Sequence, residues 1–238
     1  MSPLWPESIR LHIGPDCLRL TRAGGAASES PLAADWAVGL ATLPVLPRRA
    51  RLHVTVADRH ARYLRIDWPA GLRAAERAAF TAHRFHSVFG DMGTWAILAD
   101  QGAVGFPSLA CAIPAALVAA IDEAAQSRTL RVASLQPAYV SDFNRCRGRF
   151  RDDGAFARLE TARITVGLWG DGRWRAFRSH PVELADAAAA GRCLTALLKT
   201  LPLEDLVPAG TLYTRGGDAV GPDALPAGWR GEAVEDAP

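Results

Sequence analysis

The sequence predicts an α/β fold built from two related halves, each a mixed sheet covered by helices. Two observations carry that expectation. Short runs of alternating apolar and polar residues, the period of a half-buried strand, are separated by longer alanine- and leucine-rich stretches at helical period. The order of these elements, strand hairpins followed by a helix, a strand and a helix, then occurs a second time. The length agrees: 238 residues, 49% hydrophobic and 22% charged, make one large domain or two small joined ones, and the composition is that of a soluble globular chain.

Residues 9–25, IRLHIGPDCLRLTRAGG, alternate around Gly14-Pro15-Asp16 and read as two strands joined by a tight turn. Small polar residues over 24–34 read as a surface loop, and DWAVGLATL from Asp35 as a further strand. Residues 51–57 and 61–68 alternate on either side of Asp58-Arg59-His60, the pattern of a second hairpin that ends at Pro69. Residues 72–89, rich in Ala, Arg and Glu and stopped by Gly90, predict a helix. Strands follow at 94–99 and 108–113, and Pro114 opens a helix to about 127. After a strand at 130–135 and a short helical segment through 150, the pattern restarts. Three alternating strands at 155–161, 164–169 and 173–179 precede a helix over 183–200 and a strand over 210–214, with Gly170-Asp171-Gly172 as a hairpin turn. The expected organisation is a first half over 1–150, a pared-down second half over 151–217, and an acidic Gly/Pro-rich tail over 218–238, poorly ordered or forming a short edge strand around Trp229.

Composition excludes several functions. The 27 basic residues against 25 acidic ones leave a formal charge of +2, and Lys199 is the only lysine. An arginine-rich average without a basic face reflects codon usage better than nucleic-acid binding. Cys17, Cys111, Cys146 and Cys193 are scattered, with no C-x-x-C pair and no histidine at zinc-finger spacing, so no metal is expected and the thiols read as small hydrophobes in a reducing cytoplasm. The amino terminus lacks the basic and apolar regions of a signal peptide, and no charge-free run reaches the about 18 residues of a membrane span. Walker A, G-x-S-x-G and H-E-x-x-H motifs are absent.

Two repeated α/β units opened by a strand-turn-strand, together with LRIDWPAGLRAAERAAFTAHRFHSVFGDMGTWAILAD, resemble the actin-like superfamily. Within it, the stretch resembles the PilM-like, GspL-like and MSHA-biogenesis-like cytoplasmic modules of type IV pilus and type II secretion machines. The resemblance implies an actin-like, ribonuclease H-like fold of two subdomains with mixed sheets. An ATPase of that fold needs a phosphate-gripping turn in each half, where glycine-rich backbone N–H groups cradle phosphate and an Asp positions Mg²⁺. Here the first turn reads His12-Ile13-Gly14-Pro15, so His12 stands at the Asp position and Pro15 removes a donor. The second reads Glu160-Thr161-Ala162-Arg163 and holds no glycine. Gly216-Gly217 is similar to the adenosine-side glycine pair, and equally to a plain strand-ending turn. The nucleotide site is therefore expected to be degenerate, with Gly14, Gly216 and Gly217 as vestiges, no cofactor and no ATPase activity.

The implied role is a non-catalytic cytoplasmic scaffold, peripheral at the inner membrane, that docks a membrane-anchored pilus or secretion assembly protein and the motor ATPase. Since this chain carries no span of its own, membrane contact is expected only through the partner. The alternatives are a divergent actin-like ATPase or sugar-kinase-like phosphotransferase, and, more weakly, an arginine-dependent nucleic-acid binder. His83 and His86, with Asp91 near, lack a third convergent metal ligand. The Arg145, Arg147, Arg149 and Arg151 run, interleaved with Phe143 and Phe150, is followed at once by acids and reads as a self-compensating turn. Trp5 and Trp36 lie in irregular surroundings, where a partner anchor is one reading and ordinary packing the stronger one.

Overall fold

The structure, a computed structural model, describes residues 7–22, 24–25, 27–100, 106–151 and 153–235. In chain order the elements are β1 (Ser8–Ile13), β2 (Cys17–Arg22), β3 (Ser28–Pro31), α1 (Trp36–Ala41), β4 (Arg51–Val56), β5 (Arg62–Ile66) and α2 (Ala74–Phe89). Then come β6 (Trp95–Ala99), β7 (Ser108–Pro114), α3 (Ala115–Ser127), β8 (Arg131–Pro137) and α4 (Ala138–Cys146). The remainder is β9 (Gly154–Glu160), β10 (Arg163–Gly170), β11 (Arg173–Pro181), α5 (Ala187–Leu198), β12 (Gly210–Arg215) and β13 (Trp229–Ala233). They form two compact units. The first takes the chain up to Ala61 with Gly93–Ala96 and Ile113–Ser141, and the second takes Arg62–Met92, Ile97–Ala112 and everything from Asp142 onward.

The first unit holds a five-stranded sheet in the order β3-β2-β1-β4-β8. β1, β2 and β3 form an antiparallel meander, while β4 and β8 join parallel to β1. Alternation does the sorting: Ile9, Leu11, Ile13, Leu52, Val54 and Val56 all face one side and pack with Leu117 and Ile121 of α3 and Leu40 of α1. Each such side chain contributes about 1.5–3 kcal/mol by leaving water. The opposite face carries His12, Thr55, His53 and Ser134, joined in pairs by His12 Nδ1 to Thr55 Oγ1 and His53 Nδ1 to Ser134 Oγ, each 3.0 Å.

Three expectations fail here. Residues 36–41 are a helix and not a strand, because the Asp35 carboxylate accepts the Ala37 N–H at 2.8 Å and the Val38 N–H at 3.4 Å and so nucleates the first turn. Residues 51–68 are not a hairpin either: Asp58–His60 form a 3₁₀ turn, after which β5 leaves to pair with β7. The presumed loop over 24–34 contains the outer strand β3, a polar edge whose Arg19–Glu29 pair (3.0 Å) lies in solvent.

The second unit repeats the strand order, as β11-β10-β9-β12-β13. Again three antiparallel strands are followed by two parallel ones, and the edge strand expected around Trp229 is β13. The β10–β11 turn has φ of 51° at Asp171 and 68° at Gly172, as the Asp-Gly pair predicts for a tight hairpin. α5 covers one face through Ala190, Leu194 and Leu197. On it, Gly191 lies so close to the Ala224 carbonyl that any side chain would collide with backbone.

The other face is covered by aromatics. Phe143 and Phe150, from the arginine-rich segment, meet Phe156, Trp169, Trp174 and Tyr213 at ring separations of 4.7–6.0 Å. The segment taken for a solvated turn is thus half of a core, its arginines outside and its phenylalanines in. The smaller sheet β5-β7-β6 lies chiefly in this unit. Below it Trp68 donates Nε1–H to Ser108 Oγ at 2.8 Å, with Arg77 of α2 stacked 5.1 Å over its ring.

Candidate functional site

The turn that would grip phosphate in the first unit is Gly14-Pro15-Asp16, between β1 and β2. Two of its three backbone positions offer no free donor. The Gly14 N–H donates to the Cys17 carbonyl at 2.8 Å, Pro15 has none, and the Gly14 carbonyl lies 3.2 Å from His60 Nε2. That imidazole stands edge-on to Trp36, with ring centres 4.9 Å apart, so Trp36 packs against the turn; Trp5 falls outside the described residues.

The acids beside this turn are engaged with protein groups. His12 takes the place where a metal-positioning carboxylate would stand and is bonded to Thr55. An imidazole is a poor ligand for Mg²⁺, a hard cation that prefers oxygen. The Asp16 carboxylate is exposed and lies 3.4 Å from Arg59. Asp58 is fully buried and accepts the Tyr139 N–H at 3.0 Å in the first turn of α4, where it completes a helix end and meets the positive pole of the helix dipole.

In the second unit the matching turn, Thr161-Ala162 between β9 and β10, holds Ala162 at φ 60°, a conformation glycine adopts without strain. The Glu160 carboxylate at its base is bound by Arg158, which also holds Asp142 at 2.7 Å. Arg215 approaches the same Asp142 to 4.0 Å. Next to Arg215, Gly216 has φ 86°, and a Cβ there would stand 2.6 Å from the Leu159 carbonyl. Gly216-Gly217 therefore packs on the end of β9, and the close approach of two strands by itself requires a glycine. The structure brings Gly216 and Gly217 together in the second unit; Gly14 belongs to the first.

The cysteines and the α2 histidines are the other groups the sequence singled out. Burial pushes the Cys111 thiol up to about 11 and raises those of Cys17, Cys146 and Cys193, which keeps all four protonated and weakly nucleophilic at neutral pH. His83 and His86 are exposed on α2. Among the described residues no three His, Cys, Asp or Glu side chains are placed to hold a metal ion, and no helix is long and apolar enough to cross a membrane.

The buried carboxylate Asp58 escaped sequence reading because Asp-Arg-His looks like an exposed turn. Its one signal was position, directly after a buried strand end (Val56, Ala57). The ion cluster of Asp142, Arg158 and Glu160 carried no signal, since Asp142 is distant in sequence from the other two.

No protein-family model and no curated protein matches the chain. Solved structures do. A chain of the PilM-PilN type IV pilus biogenesis complex superposes with TM-score 0.64 and 16% identity over 96% of this chain and 88% of its own. The cytoplasmic domain of EpsL, an inner-membrane component of the type II secretion system of Vibrio cholerae, gives 0.61 and 8% over 97% and 90%. A Bacteroides thetaiotaomicron protein of actin-like ATPase fold and unknown function gives 0.60 and 10% over 88% and 82%. With the same strand order in both halves, these likenesses establish that the chain has the actin-like ATPase fold.

Proposed function

We propose that this chain is a non-catalytic, cytoplasmic actin-like scaffold of a type IV pilus or type II secretion-like assembly, docking an inner-membrane assembly protein and the motor ATPase. The observation that carries the reading is the near full-length similarity to the structure of the PilM-PilN complex and to the EpsL cytoplasmic domain. The phosphate turns support the non-catalytic part: Gly14 spends its N–H within the hairpin, Pro15 supplies none, and Glu160 is held by Arg158. In this reading Gly14, Gly216 and Gly217 are vestiges of the nucleotide loops. Residues 1–150 and 151–217 are the two actin-like halves, the second pared down, with 218–238 as a tail that supplies β13. Fold alone does not carry ATP hydrolysis.

Affinity purification of the full chain from detergent-solubilised envelopes of its own host tests the role. Recovery of an inner-membrane protein with a cytoplasmic segment, encoded beside pilin, secretin or motor-ATPase genes, is the expected result. Recovery of no envelope protein, from a gene without such neighbours, would overturn it.

A further inference from the structure

The second unit contains a groove that the nucleotide-site geometry does not use. It runs between the outer strand β11 and helix α5, with a volume of about 680 Å³. Val182, Leu184, Ala189 and Ala196 give it an apolar lining, and Leu184 is 67% exposed. Arg178 and His180 stand along its strand side and Arg192 along its helix side. Cys193 lines the groove between them; burial raises its thiol pKa, and both guanidiniums act in the opposite direction.

The charge balance sets this groove apart from the rest of the unit. Arg65, Arg158 and Arg175 are each tied to carboxylates: Arg65 to Asp67 and Asp205, Arg158 to Asp142, Arg175 to Asp171 and Asp205. Among the described residues Arg178 and Arg192 have no hydrogen bond and no ion pair. Two acids border the groove, Glu183 and Asp186, and Asp186 is occupied as the helix cap, accepting the Ala189 N–H at 2.6 Å. The surface thus offers two free guanidiniums and an imidazole against one free carboxylate, around an apolar floor.

The strand edge fixes the shape of what fits. Among the described residues β11 is an edge strand whose ladder partner is β10; towards its start β5 packs against it, the Arg65 guanidinium taking the Arg175 carbonyl and Tyr63 lying 4.8 Å from Phe177. The Val182 N–H donates inward to the Ala162 carbonyl at 3.0 Å, and backbone groups alternate in direction along a strand, so the Ser179 N–H and carbonyl point outward. Pro181 ends the run. An extended chain lying along Arg178–Pro181 would add backbone bonds at this edge and lower its side chains alternately onto the floor and toward the arginines.

From this geometry we infer that the β11–α5 groove docks an extended partner segment in which carboxylates alternate with small apolar residues. The groove is an interaction surface separate from the former nucleotide site, and it stands whether or not the pilus or secretion reading holds. Guanidiniums pair with carboxylates in two-point geometry, while the apolar floor rewards the intervening residues.

The test uses two defined probes on the ¹⁵N-labelled full chain: acetylated peptides of seven residues in which valine alternates with glutamate, or valine with lysine. The expected result is saturable amide shifts over 178–184 and 189–196 with the glutamate peptide and none with the lysine peptide. R178E/R192E should weaken binding about tenfold or more, as losing two charge-assisted contacts requires. Both sites are exposed, so the fold should survive, as the unchanged remainder of the spectrum would show. L184D, which removes apolar floor while leaving the arginines, should weaken it as well. No shift at millimolar glutamate peptide, shifts elsewhere in the chain, equal binding of both peptides, or a dimer in sedimentation that buries β11 in a second copy would each overturn the inference.

Discussion

The two five-stranded sheets share one strand order and solve burial differently. In the first, β1 and β4 alternate strictly between buried and exposed positions, and the polar face keeps His12, His53, Thr55 and Ser134. In the second, β9, β10 and β12 are buried almost throughout, because α5 covers one face and the Phe143, Phe150 and Trp169 cluster the other. The connections differ in the same sense. Between β4 and β8 the first sheet inserts β5, α2, β6, β7 and α3, whereas between β12 and β13 the second has a single 3₁₀ turn, Pro222–Ala224. The lesson is that strand order carries the fold, while the faces are free to diverge: one sheet has been closed by aromatics, the other left polar on one side.

The largest expected effect falls on the closed sheet. Phe156 is fully buried against the rings of Phe143 and Phe150, so Phe156→Ala should cost about 3–5 kcal/mol. His12→Ala on the polar face of the first sheet should cost under about 1 kcal/mol, the net worth of one part-buried hydrogen bond. Urea denaturation of both variants reads the contrast, and equal losses would break it. Next is Arg158→Met. It strands the Glu160 and Asp142 carboxylates in a largely buried place and should cost about 3 kcal/mol by the same measurement.

Smaller effects sharpen the comparison at its turns. Asp35→Ala removes the cap that makes 36–41 helical and should cost about 1 kcal/mol, with little change elsewhere in an amide spectrum. Ala162→Gly should have the opposite sign, raising the denaturation midpoint by relieving a left-handed alanine, an effect of up to about 1 kcal/mol. A loss of stability there would contradict the reading that Ala162 is held in a strained left-handed conformation.

Most of the fold was legible in the residues, and the misreadings have physical causes. Periodicity located nearly every strand and the helices α2, α3 and α5, since these segments are each half-buried and alternate or recur cleanly. It failed at 36–41, where a single capping carboxylate outweighs an apolar run that fits strand or helix, and at 51–68, where two alternating strands adjacent in sequence belong to different sheets. Pairing partners are set by tertiary contacts that periodicity does not encode. At the candidate turns the sequence itself shows His12, Pro15 and the absence of a glycine at 161–162. The carboxylate contacts near these turns, Asp58 under Tyr139 and the Asp142–Arg158–Glu160 cluster, depend on residues brought together from distant positions and left no local trace.

The central claim, that the actin-like fold persists here without a working phosphate grip, is tested most directly by thermal denaturation of the intact chain with and without MgATP. The account predicts an unchanged midpoint up to millimolar nucleotide. A saturable rise, corresponding to about 2.7 kcal/mol when ATP stands at a hundred times its Kd, would contradict it.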